Sequence, residues 1–247
     1  MSLDTWTPSG VLLNSGPFNE PMWRLVNKEG KSSTSKVVDT AEEVDVLEEL
    51  VYQSKDINQV ETGKLHRLIA TPFQMRDPKN LSRFREPYDP GVLYAADSFQ
   101  CAAAEKSFRQ VLVLRNSPDM VRIGPSRHTG IQIAIKTKVV DVRLAPYKKD
   151  AKIFSHPENY DKTQEFGRIA REAGVGGIVY RSVRSPTAGR CIAVLTPKAV
   201  AKPNPISSDE NWELTVQANT ALWINTGSVN PPESLTIIFR DNSDEGK

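Results

Sequence analysis

The stretch Ser82-Arg83-Phe84-Arg85-Glu86-Pro87-Tyr88-Asp89-Pro90-Gly91-Val92-Leu93-Tyr94-Ala95-Ala96-Asp97-Ser98-Phe99-Gln100-Cys101-Ala102-Ala103-Ala104-Glu105 reads as an arginine, a turn, a short strand carrying a tyrosine, and a helix with one carboxylate among small apolar residues. Ser98 is a good N-cap because its hydroxyl can accept from a free backbone N–H of the first turn. A helix starting there places Cys101, Ala102, Glu105 and Phe108 on one face at i, i+3, i+4 and i+7. Ala and Cys are what a helix uses where something packs close, so a Glu on that face is either paired or working.

Around this stretch the chain alternates strands and turns more than strands and helices. Residues 64–71 read as a strand holding Arg67, with Pro72 closing it. Val111–Leu114 is a short apolar run. Residues 131–144 begin with Ile131, Ile133 and Ile135 on one side and Gln132, Ala134 and Lys136 on the other, the period-two signature of a strand with one buried face. Residues 145–160 read as loop. A helix over 162–173 carries a stripe of Phe166, Ile169, Ala170 and Ala173, and Gly174 is placed to close it in a left-handed cap. Strands follow at 176–183 and 190–195, with further strands at 212–217 and 235–240. Upstream, Thr40-Ala41-Glu42-Glu43 is a capping box opening an amphipathic helix to about Gln53. Residues 23–37 suggest a short strand and a turn at Glu29-Gly30-Lys31. Residues 1–22, rich in Pro, Gly, Ser and Asn, read as a surface arm pinned by Trp6 and Trp23. The sum is an α+β chain without the regular βαβ alternation of a doubly wound parallel sheet.

The 247 residues are 38% hydrophobic and 25% charged, an ordinary globular composition. Net charge is +2, and no basic run marks nucleic-acid binding. The two cysteines, Cys101 and Cys191, lack CxxC partners, so neither a disulfide framework nor a zinc site is expected, and a reducing, cytoplasmic setting fits. No signal peptide and no apolar window long enough to span a membrane is evident. There is no phosphate-binding loop of the Walker type, no HExxH and no GxSxG; Gly174-Val175-Gly176-Gly177 follows a helix and precedes a strand, the reverse of a dinucleotide fingerprint. The three histidines are far apart in sequence and give no metal-ligand spacing.

What remains is a set of polar residues at strand ends and on apolar helix faces: Arg67, Arg83, Tyr94, Glu105 and Ser182. Each has a structural alternative. Arg67 would cap a sheet edge, Tyr94 would be a core tyrosine with its hydroxyl at the rim, Glu105 would pair with Arg109 one turn on, and Ser182 would simply end a strand.

These residues sit in blocks that together resemble the RES domain family, named for its arginine, glutamate and serine. The blocks are Leu65-His66-Arg67, Ser82-Arg83-Phe84, Gly91-Val92-Leu93-Tyr94-Ala95-Ala96, Ala102-Ala103-Ala104-Glu105, Gly176-Gly177-Ile178-Val179-Tyr180-Arg181-Ser182-Val183-Arg184 and Gly189-Arg190-Cys191-Ile192-Ala193-Val194. They occur in the family's order, and the resemblance covers about residues 23–200. It departs at Ser82, where members often have glycine, and at Arg85-Glu86. The resemblance implies an ADP-ribosyltransferase-like fold, a mixed or antiparallel β core with flanking helices. It divides the chain into an N-terminal arm and helix (1–60), the RES catalytic domain (61–200) and C-terminal strands and tail completing the same domain (201–247).

The resemblance further implies consumption of NAD⁺ by cleavage of the nicotinamide–ribose bond, as an NAD⁺ glycohydrolase or NAD⁺ phosphorylase, by a toxin of a toxin–antitoxin pair. NAD⁺ is then a substrate, with phosphate as co-substrate in phosphorolysis, and no cofactor or metal is expected. The implied protein partner is an antitoxin with an Xre-type helix-turn-helix domain; a homodimer is compatible, and no nucleic acid or membrane is implied. Carried over, the catalytic set is Glu105, Arg83 and Tyr94, and the substrate-binding set is Arg67, Ser182 and Arg184. A carboxylate suits this chemistry, because the transition state resembles an oxocarbenium ion, and arginine forks suit the pyrophosphate. Two rivals stand beside this reading: an ADP-ribosyltransferase acting on a macromolecule, and a non-catalytic binding module on the same scaffold.

Overall fold

The computed structural model describes residues 5–28, 65–74, 82–202, 206–227, 231 and 233–239. Along them run α1 (Pro8–Leu13), β1 (Ser15–Asn27), α2 (Arg67–Gln74), β2 (Leu93–Ala96), α3 (Phe99–Arg115), β3 (Arg122–Asp141), α4 (Ala151–Phe154), α5 (Asp161–Glu172), β4 (Gly177–Arg181), β5 (Arg190–Val194), β6 (Ile206–Gln217), β7 (Thr220–Asn225) and β8 (Ser234–Ile238). Short 3₁₀ turns lie at Tyr147–Asp150 and Pro197–Ala199. The helix expected at 40–53, the turn at 29–31 and the tail from 241 lie outside the described residues.

The strands join in one mixed sheet, in the order β1-β2-β5-β4-β3-β6-β7-β8, with β1 also paired to β3. The β3–β4 pairing is parallel and the others are antiparallel. Because β1 reaches both β2 and β3, the strands β1, β2, β5, β4 and β3 close a ring, and β6 to β8 continue outward from β3. The α+β reading with a mixed core and flanking helices therefore holds.

Ile131, Ile133 and Ile135 are fully buried with Met22, Leu93 and Ile192, as the alternation required. A second apolar cluster joins Phe84, Phe166, Tyr180, Trp212 and Trp223 to the small residues of α3. Trp223 donates its indole N–H to Ser107 Oγ on α3 (2.9 Å). The tryptophan thus anchors the helix that carries Glu105 to the sheet. Among the described residues, no helix is long and apolar enough to cross a membrane.

Several expectations need correction. Residues 1–22 are not merely a draped arm: β1 pairs with β3 from Ser15 to Asn27. Pro17 and Pro21 misled the reading. They are an even number apart, so their missing N–H groups face one side of β1, and the β1–β2 register, Trp23 with Ala96, lies beyond both prolines. Trp6 does pin the segment, stacking on Phe154 and donating to Asp150 Oδ2 (3.0 Å). Of the strand expected at 64–71, residues 65–71 are described, and they are not a strand. Leu65, Leu68, Ile69 and Phe73 follow a helical period, and α2 runs from Arg67 through Pro72. The missing proline N–H sits beside Thr71, whose hydroxyl donates to Arg67 O (2.8 Å). Val111–Leu114 is the last turn of α3, residues 145–160 contain α4, and β7 had no counterpart in the sequence reading.

Candidate active site

Ser98 caps α3, its Oγ accepting from Cys101 N (3.2 Å). Cys101, Ala102, Ala103 and Ala104 are buried, and the helix is held so close to β5 that a Cβ on Gly189 would stand 2.4 Å from Cys101 Sγ. One turn on, half-buried Glu105 faces the end of β4. Ser182 Oγ donates to Glu105 Oε1 at 2.5 Å. The serine is fixed in turn, because its Oγ accepts from the backbone N–H of Arg184 (3.2 Å) and Ser185 (2.9 Å). Among the described residues Oε1 accepts the Ser182 bond, Oε2 accepts no hydrogen bond, and no salt bridge joins Glu105 to Arg109. The helix-surface alternative for Glu105 is therefore not what the fold builds. Cys191 Sγ lies 4.0 Å from Oε1 and 3.7 Å from Cys101 Sγ. Contact with Cys101, burial and Glu105 together push the Cys191 thiol's pKa well up, so it stays protonated beside the carboxylate.

Arg83, expected in the catalytic set, borders the cavity and is tied to backbone carbonyls. It is 7% exposed, and its Nη1 donates to Phe154 O (2.8 Å) and His156 O (2.9 Å). Its guanidinium lies 4.7 Å from the Tyr160 ring centre. Tyr94 Oη accepts from Phe84 N (3.1 Å) and shares a hydrogen bond with Ser82 Oγ (2.9 Å), clamping the residues either side of Arg83. Burial pushes the Tyr94 phenol's pKa up, so it remains neutral. From the other side, Gln164 on α5 donates to Ser82 O and Arg85 O (3.1 and 3.2 Å). Gly167 permits this approach, since a Cβ there would be 2.6 Å from Phe84 O. Gly167→Ala is expected to cost about 1–3 kcal/mol, read as a thermal midpoint lowered by about 2–4 °C per kcal/mol; an unchanged midpoint would mean that the loop moves freely.

These groups border a cavity of about 930 Å³ between β1, α2, the Arg83 loop and α3. Arg24 of β1, Lys28 just beyond it, Arg67 of α2, and Lys106 and Arg109 of α3 line it; so do Arg83, Arg85 and Arg184. Against these eight cations stand two carboxylates, Glu105 and Glu158. Such a wall favours an anionic ligand, with negative charge of its own confined to Glu105 and Glu158. Arg184 lies over Phe108, 3.6 Å from the ring centre, and donates to Pro157 O (2.6 Å). Burial lowers its pKa while Tyr160 and Glu105 raise it.

All six expected site residues thus border or adjoin one region. Glu105 and Ser182 are in direct contact, Arg184 adjoins both, and Tyr94 and Arg83 form one loop clamp. Arg67 stands apart at the start of α2 on the opposite wall. The sequence reading missed Arg24, Lys28, Lys106 and Arg109 as cavity residues. Only the position of Lys106, one residue after the singled-out glutamate, was a signal.

No curated protein matches the chain. Among solved structures, a chain described as "Crystal structure of the M.tuberculosis MbcT-MbcA toxin-antitoxin complex" is similar at a TM-score of 0.49 and 11% identity, covering 87% of this chain and 93% of its own. The RES domain model matches residues 60–217, more than half the chain and the whole span from Arg67 to Ser182. With Glu105 and Ser182 in contact across that span, this protein belongs to the RES domain family.

Proposed function

We propose that this protein is an enzyme that cleaves the nicotinamide–ribose bond of NAD⁺ and serves as the toxin of a toxin–antitoxin pair. The observation that carries the reading is the Ser182–Glu105 contact (2.5 Å) at the edge of the basic cavity. Cleavage expels a neutral nicotinamide from a cationic pyridinium and leaves positive charge on the ribose anomeric carbon. A carboxylate fixed beside that carbon stabilises the charge as it develops. Ser182 occupies Oε1 and sets the plane of the group, so Oε2 is the oxygen turned to the ribose or to the incoming nucleophile. The surrounding cations complement the dinucleotide's pyrophosphate, with Arg67 and Arg184 as the arginines nearest this task. Arg83 and Tyr94 shape the wall on which the nicotinamide end rests. The partner that restrains such a toxin is a helix-turn-helix protein of the Xre type.

Purified protein incubated with NAD⁺, with and without phosphate, tests this. Free nicotinamide is expected, with ADP-ribose as co-product in water or its 1-phosphate when phosphate is the acceptor. Label transferred to an added protein would favour the ADP-ribosyltransferase alternative. Undiminished NAD⁺ after prolonged incubation with stoichiometric protein would rule out the enzyme.

A further inference from the structure

The chain's two cysteines meet across the fold. They stand 90 positions apart, Cys101 in the first turn of α3 and Cys191 in β5, yet their sulfurs are 3.7 Å from each other. The local geometry explains the meeting. Ala96, the last residue of β2, pairs with Cys191, and α3 opens three residues later at Phe99. The helix then lies against the start of β5, where a Cβ on Gly189 would stand 2.7 Å from Cys101 Cβ. A strand returns to the same face every two residues, so Cys191 follows Gly189 toward the helix. Both thiols are free and buried, and Cys191 borders the cavity.

The pair is also tied to the glutamate. Glu105 is one helical turn beyond Cys101, and its Oε1 is 4.0 Å from Cys191 Sγ. On the strand side, Ser182 N donates to Gly189 O (2.8 Å), so the start of β5 holds the serine that grips Glu105.

We propose that Cys101 and Cys191 form a reversible dithiol–disulfide site, oxidised by peroxide entering through the cavity, which displaces Glu105 when the disulfide forms. The Cys191 thiolate attacks one peroxide oxygen, the O–O bond breaks, and the departing hydroxide takes up the thiol proton as water, leaving a sulfenic acid. Cys101 sulfur then attacks the Cys191 sulfur, and its proton leaves with the hydroxyl as a second water. The two thiols lose two electrons and two protons in all, and one peroxide becomes two waters. A thiol already in contact stops the oxidation at the disulfide, which reductants reverse. Contact with Cys101, burial and Glu105 keep Cys191 protonated, and the thiolate is the reacting form, so the site answers sustained rather than brief peroxide.

Closing the 3.7 Å gap to a bond of about 2.05 Å draws α3 and β5 together at the base of the Ser182–Glu105 contact. It also removes the thiol proton that faces Oε1. That the disulfide lowers NAD⁺ cleavage rests on the function proposed above; its formation does not.

The full chain is treated with hydrogen peroxide, its remaining thiols are alkylated under denaturing conditions, and the digest is read by mass spectrometry. A peptide pair joining Cys101 to Cys191, lighter by two hydrogen atoms and separated by dithiothreitol, is expected. NAD⁺ cleavage should fall about ten- to a hundredfold as the disulfide forms, the scale of a misplaced reacting group, and return on reduction. Cys101→Ala removes the second thiol. Before oxidation it should cleave NAD⁺ as the wild type does; after oxidation it should show no cross-link and a dimedone-reactive sulfenic acid at Cys191. Thiols that both remain alkylatable, or that oxidise separately without a cross-link, overturn the proposal, as does a disulfide-bearing protein that cleaves NAD⁺ at the rate of the reduced one. If the reduced protein leaves NAD⁺ intact, the proposed function fails, and the peptide masses alone still decide the disulfide.

Discussion

Glu105→Gln is expected to lower the turnover of NAD⁺ by about two to three orders of magnitude, the loss typical when a preorganised electrostatic partner of the transition state is removed. The substitution keeps the shape of the side chain. Ser182 Oγ can still donate to an amide oxygen at the Oε1 position, so the 2.5 Å contact is replaced rather than emptied. What disappears is the charge, and the charge matters most when the ribose carries positive character. The ground-state nicotinamide ribose feels it less, because positive charge there resides mainly on the pyridinium ring. The loss should therefore fall on kcat more than on KM. Nicotinamide release measured over a range of NAD⁺ concentrations separates the two, with a thermal melt confirming that the variant folds. Near-wild-type kcat would remove Glu105 from the chemistry. A raised KM with unchanged kcat would make it a binding residue only.

The sequence announced this glutamate through local rules. Ser98 as a cap and the run Cys101-Ala102-Ala103-Ala104 are short-range signals, and they placed Glu105 on the packed face of α3 without any knowledge of the sheet. Ser182 was legible only as the end of a strand; its contact with Glu105 spans 77 positions, and no local pattern encodes it. The Arg67 segment was misread because a proline in a short apolar run counted for more than the helical spacing of Leu65, Leu68, Ile69 and Phe73. The N-terminal strand was read too short, from Trp23 onward only, for a related reason. Pro and Gly punctuate it, yet its stability comes from pairing with β3, a tertiary effect that overrides local preference. Arg24, Lys106 and Arg109 were invisible as a group for the same cause: β1 and α3 meet only in the folded sheet.

Arg83 is the residue whose expected role changes most, and Arg83→Met should expose this as a large loss of stability. The guanidinium holds two backbone carbonyls, Phe154 O and His156 O, from a position only 7% exposed. A charged donor contributes about 1.5–3 kcal/mol per hydrogen bond, and acceptors left buried and unpaired add to the loss. Methionine fills much of the space but satisfies neither carbonyl, so a total of roughly 3–5 kcal/mol is expected. For a chain of this size that lowers the thermal midpoint by about 6–20 °C. Arg67 is the control. It is exposed at the start of α2 and lines the facing wall of the cavity. Arg67→Gln should change stability by only about 0.5 kcal/mol while raising KM for NAD⁺. Denaturant or thermal melts of the two variants, set beside their kinetics, separate an arginine that builds the wall from one that binds at it. If Arg83→Met melts with the wild type and loses only activity, the guanidinium acts on the substrate and its carbonyl contacts are incidental. If it melts early while the folded fraction keeps its KM, the arginine in the family's name is here a structural strut for the loop that Tyr94 clamps.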